Sequence, residues 1–136
     1  MRASLALAAL LLAAPAAAGG LQVPCVVTRP IDGDSFGASC AIWPGVTAET
    51  VVRVAGVDAA ELRARCDAER TLALAARDYV AAWTGAAVTL TEIEHGKYAG
   101  RVVARVTAGE RDLAAELLAA GLAVPYDGGA RQGWCP

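Results

Sequence analysis

Apolar and polar positions alternate with period two in several stretches of this chain, the pattern of strands with one buried face. Val26–Ile31 and Ser35–Trp43 predict two strands. They are joined at Asp32-Gly33, a pair that marks a two-residue hairpin because glycine accepts positive φ without steric cost. Val51–Val57 predicts a third strand, reached through Pro44-Gly45. From Cys66 the period changes. Ala68, Leu72, Ala75, Ala76, Tyr79, Val80 and Trp83 recur at three- and four-residue steps, as on one apolar helix face. Asp67 and Glu69 suit the positive start of that helix, and Gly85 suits its close. Ala87–Glu94 and Arg101–Thr107 predict a fourth and a fifth strand, with a glycine-bearing loop from His95 to Gly100 between them. A second helix is expected from about Asp112 to Ala120, closed by Gly121, before a turn-rich tail that ends at Cys135-Pro136. Three strands, a helix, two strands and a helix predict a small α+β domain built on a five-stranded barrel. The interleaved helix argues against an immunoglobulin-like sandwich, and three strands before any helix argue against a ferredoxin-like split βαβ.

The first residues follow a different rule. Met1-Arg2, an apolar run from Leu5 to Ala14 and the small residues Ala16-Ala17-Ala18 make a secretory signal peptide over 1–18, leaving a domain over 19–136. The run is too short for a permanent membrane span, which needs about 20 residues. The expected location is therefore secreted or periplasmic, with no stable membrane association after cleavage. Removing 18 of 136 residues leaves 118, and losing Arg2 takes the formal charge from −2 to −3. A mildly acidic domain is not one held on nucleic acid by bulk charge.

Four cysteines remain, an even number in an exported chain, and two disulfides are the natural reading. In a hairpin centred on Asp32-Gly33 the numbers of facing residues add to 65, which pairs Cys25 with Cys40. Cys66 is left to reach Cys135. Strict counting makes 25/40 a hydrogen-bonded pair, whose Cβ vectors suit a disulfide poorly, so a bulge is needed between the turn and the cysteines. No Cys-x-x-Cys spacing occurs, and nothing points to zinc.

The chemistry-bearing residues gather between Asp32 and Glu61. If the second hairpin is centred near Gly45-Val46, Asp34 at the start of one strand lies opposite Asp58 at the end of the next. Two carboxylates on neighbouring strand ends repel unless a cation or an arginine lies between them, so this spot asks for a metal or a basic partner. Taken singly, each residue has a plain structural explanation. Asp32-Gly33 is a turn, Arg53 half of an ion pair, and Glu61 a partner for a helix dipole. Arg101 reads as a solvated strand residue, Tyr98 and Tyr126 as packing groups, and His95, the single histidine, as a residue in water. Two aspartates, a glutamate and two arginines placed together at strand ends make a stronger case than any one of them.

The text Ile31-Asp32-Gly33-Asp34-Ser35, Val52-Arg53-Val54-Ala55-Gly56-Val57-Asp58-Ala59-Ala60-Glu61, Lys97-Tyr98-Ala99-Gly100-Arg101-Val102-Val103-Ala104 and Leu117 to Ala123 resembles the staphylococcal nuclease (thermonuclease) family. The resemblance covers nearly all of the domain. It implies an OB-fold barrel and calcium-dependent phosphodiester hydrolysis of DNA and RNA; no obligate protein partner is expected. By motif position, Asp34, Asp58 and the Ala59 carbonyl would hold the calcium ion. Glu61 would be the general base, and Arg53 and Arg101 would hold the phosphate, with Ser35, Tyr98 and Tyr126 as weaker substrate contacts. The chemistry agrees. A hard cation takes oxygen ligands, water needs a base in reach, and arginine meets phosphate oxygens with a planar fork. Arg53 and Asp58 are five apart, so a bend near Gly56 must bring them to one site. The chain departs from the family pattern at Ala60, where proline is usual, at Gly96 for an acidic residue, at the additional Ala99, and in lacking a third helix. The alternative function is a non-catalytic exported OB-fold module that binds protein, nucleotide or single-stranded nucleic acid.

Overall fold

A computed structural model describes residues 19–136, so the expected signal peptide over 1–18 lies outside the described residues. The chain forms β1 (Val23–Pro30), β2 (Ser35–Trp43), β3 (Val46–Val54), β4 (Val57–Ala59), α1 (Asp67–Ala81), β5 (Ala87–His95), β6 (Arg101–Ala108), β7 (Arg111–Asp112), α2 (Leu113–Ala119) and β8 (Ala123–Pro125). Strand order is β3-β2-β1-β5-β6-β7, and a parallel pairing of Val51–Val54 with Arg101–Ala104 joins β3 to β6. That pairing closes a five-stranded barrel, as the sequence predicts. Phe36, Val27, Val52, Val54, Leu90 and Val106 fill it. Among the described residues, no helix is long and apolar enough to cross a membrane.

The first hairpin differs from the two-residue turn expected at Asp32-Gly33. Ile31 to Asp34 all lie between the strands, and Pro30 faces Phe36. Gly33 has no positive φ. It is glycine because a Cβ there would lie 2.4 Å from the Ala76 Cβ of α1 and 2.8 Å from the Ala59 Cβ. A bulge at Thr28 then shifts the register so that Cys25 faces Cys40, with Cα atoms 4.0 Å apart, the close spacing of a non-hydrogen-bonded pair. The disulfides are Cys25–Cys40 and Cys66–Cys135. The second closes 69 residues of sequence, a cross-link that chain entropy values at about 4 kcal/mol.

The strand expected over Val51–Val57 is broken. β3 ends at Val54, and Gly56 at φ 80° turns the chain into β4, which pairs with β8 outside the barrel sheet. The buried line of α1 is Glu69, Ala73, Ala76 and Val80, continued by Trp83. Ala68 and Ala75, expected on that face, are exposed. In an alanine-rich helix the apolar face is poorly marked by residue type, and the contact with Gly33 selects the row through Ala76. The helix ends at a cap on Ala82, and Gly85 instead turns at φ 82° to donate its N–H to the Val27 carbonyl, 2.8 Å away.

Candidate active site

The break after Val54 builds the site. Val54 N–H donates to the Asp34 carbonyl at 2.8 Å, which fixes the start of β2 against the end of β3. The turn at Gly56 then lays β4 across the same point. Asp34 thus meets Asp58 through β4 and not, as the strand count suggested, across a β2–β3 pair: the residue facing Ser35 is Arg53.

Asp34 is buried, and its Oδ2 accepts the Ala59 N–H at 2.9 Å. Ser35 is buried too and donates its hydroxyl to Asp34 Oδ1 at 3.2 Å. Ser35 therefore orients a carboxylate; with 2% exposure it presents no surface to a substrate, contrary to the expected role. Burial pushes the Asp34 carboxyl above its usual range and neighbouring Asp32 adds to this, against the pull of Arg53 and the Ala59 N–H. Asp58 is fully buried. Arg53 lies between the two carboxylates, with Nη1 3.6 Å from Asp34 Oδ2 and Nη2 3.2 Å from Asp58 Oδ1. It also donates to the Val57 carbonyl at 3.2 Å, and its guanidinium lies 5.5 Å from the Tyr126 ring centre. The basic partner that the facing aspartates require is thus present, and the bend at Gly56 supplies it.

Arg101 opens β6 opposite Val51, two residues along β3 from Arg53. Parallel register puts both arginines on the same face, as diagonal neighbours. The exposed Tyr98 ring lies 5.9 Å from the Arg101 guanidinium, and Tyr126 donates its hydroxyl to the Gly129 carbonyl at 3.0 Å. A cleft of about 330 Å³ runs beside Arg53, Gly56, Val103, Tyr126 and Asp127. Arg53, Asp58 and Asp34 are in direct contact, while Arg101 and Tyr98 lie along the same rim without touching the carboxylates.

A protein-family model described as staphylococcal nuclease homologue matches residues 51–132, more than half of the chain. The chain belongs to this family. No curated protein matches it in sequence. The matched stretch of this nuclease homologue includes Arg53, Asp58, Ala59, Glu61 and Arg101, and it begins after Asp34.

One residue of the site was not foreseen. Arg131, in the tail after β8, places Nη2 2.7 Å from Asp58 Oδ1 and donates from Nε to Asp58 Oδ2 at 3.1 Å. Its Nη2 also approaches the Ala59 carbonyl at 3.5 Å, and its Nη1 pairs with Glu61. The hydrogen bonds to Asp58 and Glu61 hold its guanidinium firmly protonated. A sequence signal existed, since a disulfide from Cys135 to Cys66 must carry the residues before it past the loop that bears Glu61.

The family implies calcium, and the donor chemistry suits it. Asp34, Asp58 and the Ala59 carbonyl are hard oxygens, and buried Asp34 is stabilised by a cation. Among the described residues, the one set of three His, Cys, Asp or Glu ligand atoms within 4.8 Å of one another is Cys66, Glu69 and Cys135. Its two sulfurs are bonded to each other, so that set has no thiolate to offer a metal. Asp34, Asp58 and Glu61 do not converge so closely, and Arg131 lies between Asp58 and Glu61.

Proposed function

We propose that this chain is an exported, calcium-dependent phosphodiester hydrolase acting on DNA or RNA. The observation that carries the reading is Arg53 held between buried Asp34 and Asp58 at the rim of a nuclease-family barrel, with Glu61 beyond the end of β4. Calcium, when bound to Asp34, Asp58 and the Ala59 carbonyl, would polarise the scissile phosphate as a Lewis acid.

The side chains do the rest. Glu61 is exposed, so water reaches it, and its carboxylate takes the proton of the attacking water. Arg53 and Arg101 face the same way from adjacent strands and bind the phosphate oxygens as negative charge grows on them. Arg53 is itself fixed by Asp58 and the Val57 carbonyl, so its donors are oriented before substrate arrives. Tyr98, on the loop before β6, offers an exposed ring on which a base can stack. Two disulfides support an oxidising compartment and therefore export.

The binding-module reading is favoured by one observation, the pairing of Arg131 with both Glu61 and Asp58, which occupies the proposed base. The deciding experiment is cleavage of single-stranded DNA and RNA by the purified mature protein in calcium, repeated with a chelator. Glu61→Gln keeps the shape of the side chain but cannot accept the proton, so turnover falls by about 10²–10⁴-fold with the fold intact by circular dichroism. Wild-type turnover in Glu61→Gln refutes the mechanism. A wild-type protein that binds single strands without cutting them establishes the alternative.

A further inference from the structure

Arg131 reaches the site from outside the elements that build it. Its guanidinium holds both oxygens of Asp58, approaches the Ala59 carbonyl and pairs with Glu61. Those partners include two of the three donors assigned to calcium, together with the proposed base. A guanidinium and a divalent cation that need the same oxygens repel each other at that distance, so only one of them can hold Asp58 fully.

The tail is anchored on both sides of Arg131. Tyr126 N–H donates to the Gly56 carbonyl at 3.0 Å before it, and Cys135 is bonded to Cys66 after it. Short tethers of this kind keep a group near its target at an effective concentration of about millimolar or more. The Arg131 side chain nevertheless keeps 43% of its surface in solvent, whereas that of Asp58 keeps 1%. The guanidinium has water to turn into, while the carboxylate has nowhere to go.

We propose that Arg131 is the built-in competitor of the metal: a tethered cation that neutralises Asp58 and Glu61 until a divalent ion displaces it. The inference rests on the calcium reading above. It couples two events, because the displacement that opens Asp58 and the Ala59 carbonyl also releases the Glu61 carboxylate.

Calcium titration of the disulfide-bonded mature protein by calorimetry tests this. Arg131→Gln removes the competing charge and should bind calcium about tenfold tighter than wild type, the loss of one charge-assisted hydrogen-bonded pair. Arg131→Lys keeps a charge but not the fork that engages Asp58, Ala59 and Glu61 together, so it should bind more tightly than wild type and less tightly than Arg131→Gln. If Arg131→Gln does not fold without metal, Arg131→Lys against wild type decides. Equal or weaker calcium affinity in the variants overturns the inference and makes Arg131 a support of the site, while the calcium reading survives through the wild-type isotherm. Absence of calcium binding in every protein overturns both.

Discussion

Gly33 shows how tightly the fold and the site are joined. It is buried in the connection before β2, and a methyl group there would lie 2.4 Å from the Ala76 Cβ and 2.8 Å from the Ala59 Cβ. Neither obstacle is the end of a flexible chain. One belongs to the buried face of α1, and the other to β4 beside the proposed metal donors, so Gly33→Ala must push them apart. Overpacking of this kind costs about 1–3 kcal/mol. At about 4 °C per kcal/mol for a domain of this size, Tm should fall by roughly 4–12 °C. Activity should fall as well, because the Ala59 N–H donates to Asp34 and moves with its own Cβ. Gly45→Ala is the control. Gly45 has φ 76° and nothing within 4 Å, so alanine there meets only left-handed backbone strain of about 1–2 kcal/mol and leaves turnover unchanged. Differential scanning calorimetry and a plate nuclease assay read both quantities. A second change, Ala76→Gly, should return part of the loss in Gly33→Ala, after allowing about 1 kcal/mol for glycine inside a helix. A Gly33→Ala protein melting within about 2 °C of wild type would refute the close-approach argument.

Two further expectations concern single charges. Arg101→Lys keeps the positive charge on the rim but loses the planar fork, so kcat should fall while Tm stays within error; unchanged kcat would return Arg101 to the role of a solvated strand residue. Glu116 of α2 accepts from Arg111 at 2.7 Å and from the Tyr79 hydroxyl at 2.7 Å, and those bonds lower its carboxyl to about 2. A folded-state value below the ordinary carboxylate range means that this link stabilises the protein above about pH 4–5 and fades as the pH falls towards 2. The Arg111 side chain is 59% exposed and that of Glu116 25%, so solvent screens the pair and the effect is small. The Tm difference between wild type and Glu116→Gln should shrink steadily from pH 5 to pH 2, and a constant difference would exclude the linkage.

The barrel was legible because apolar, β-prone runs recur along the chain with turn residues standing between them. Ser35–Trp43 is β2 to the residue, and Arg101–Thr107 is β6 short of one. The pairing of Cys25 with Cys40 was legible for a subtler reason. The loop is longer than Asp32-Gly33 alone, but the bulge at Thr28 takes up the added residue and restores the counted register. What escaped the reading depended on contacts between distant parts of the chain. Val51–Val57 reads as one apolar run, and only the pairing of β4 with β8 shows that it is two strands at an angle. Gly33 looks like a turn glycine until α1 is placed against it. Arg131 belongs to a tail with no periodicity, and its role depends on where a disulfide 69 residues long in sequence brings it.

That tail also bears on the missing proline before Glu61. A proline at position 60 would fix the backbone just ahead of Glu61, the proposed base. Ala60 cannot do so by its own conformational preference, yet it is 2% exposed, packed where the chain leaves β4. Backbone pairing reaches as far as Ala59, which faces Ala123 of β8 and donates to Asp34. The approach to Glu61 is therefore fixed by burial and hydrogen bonds up to one residue before it. From there the side chain is held by Arg131, whose own position follows from the turn at Asp127-Gly128-Gly129 and the bond from Cys135 to Cys66. The family's rigid residue is thus replaced by a rigid neighbourhood and a tethered cation. The substitution has a consequence for mechanism: the contact that positions Glu61 also neutralises it. On the proposed mechanism, Glu61 would be freed to act as the base only when something more strongly attracted to Asp58 than a guanidinium arrives, and a divalent ion with a substrate phosphate would meet that condition.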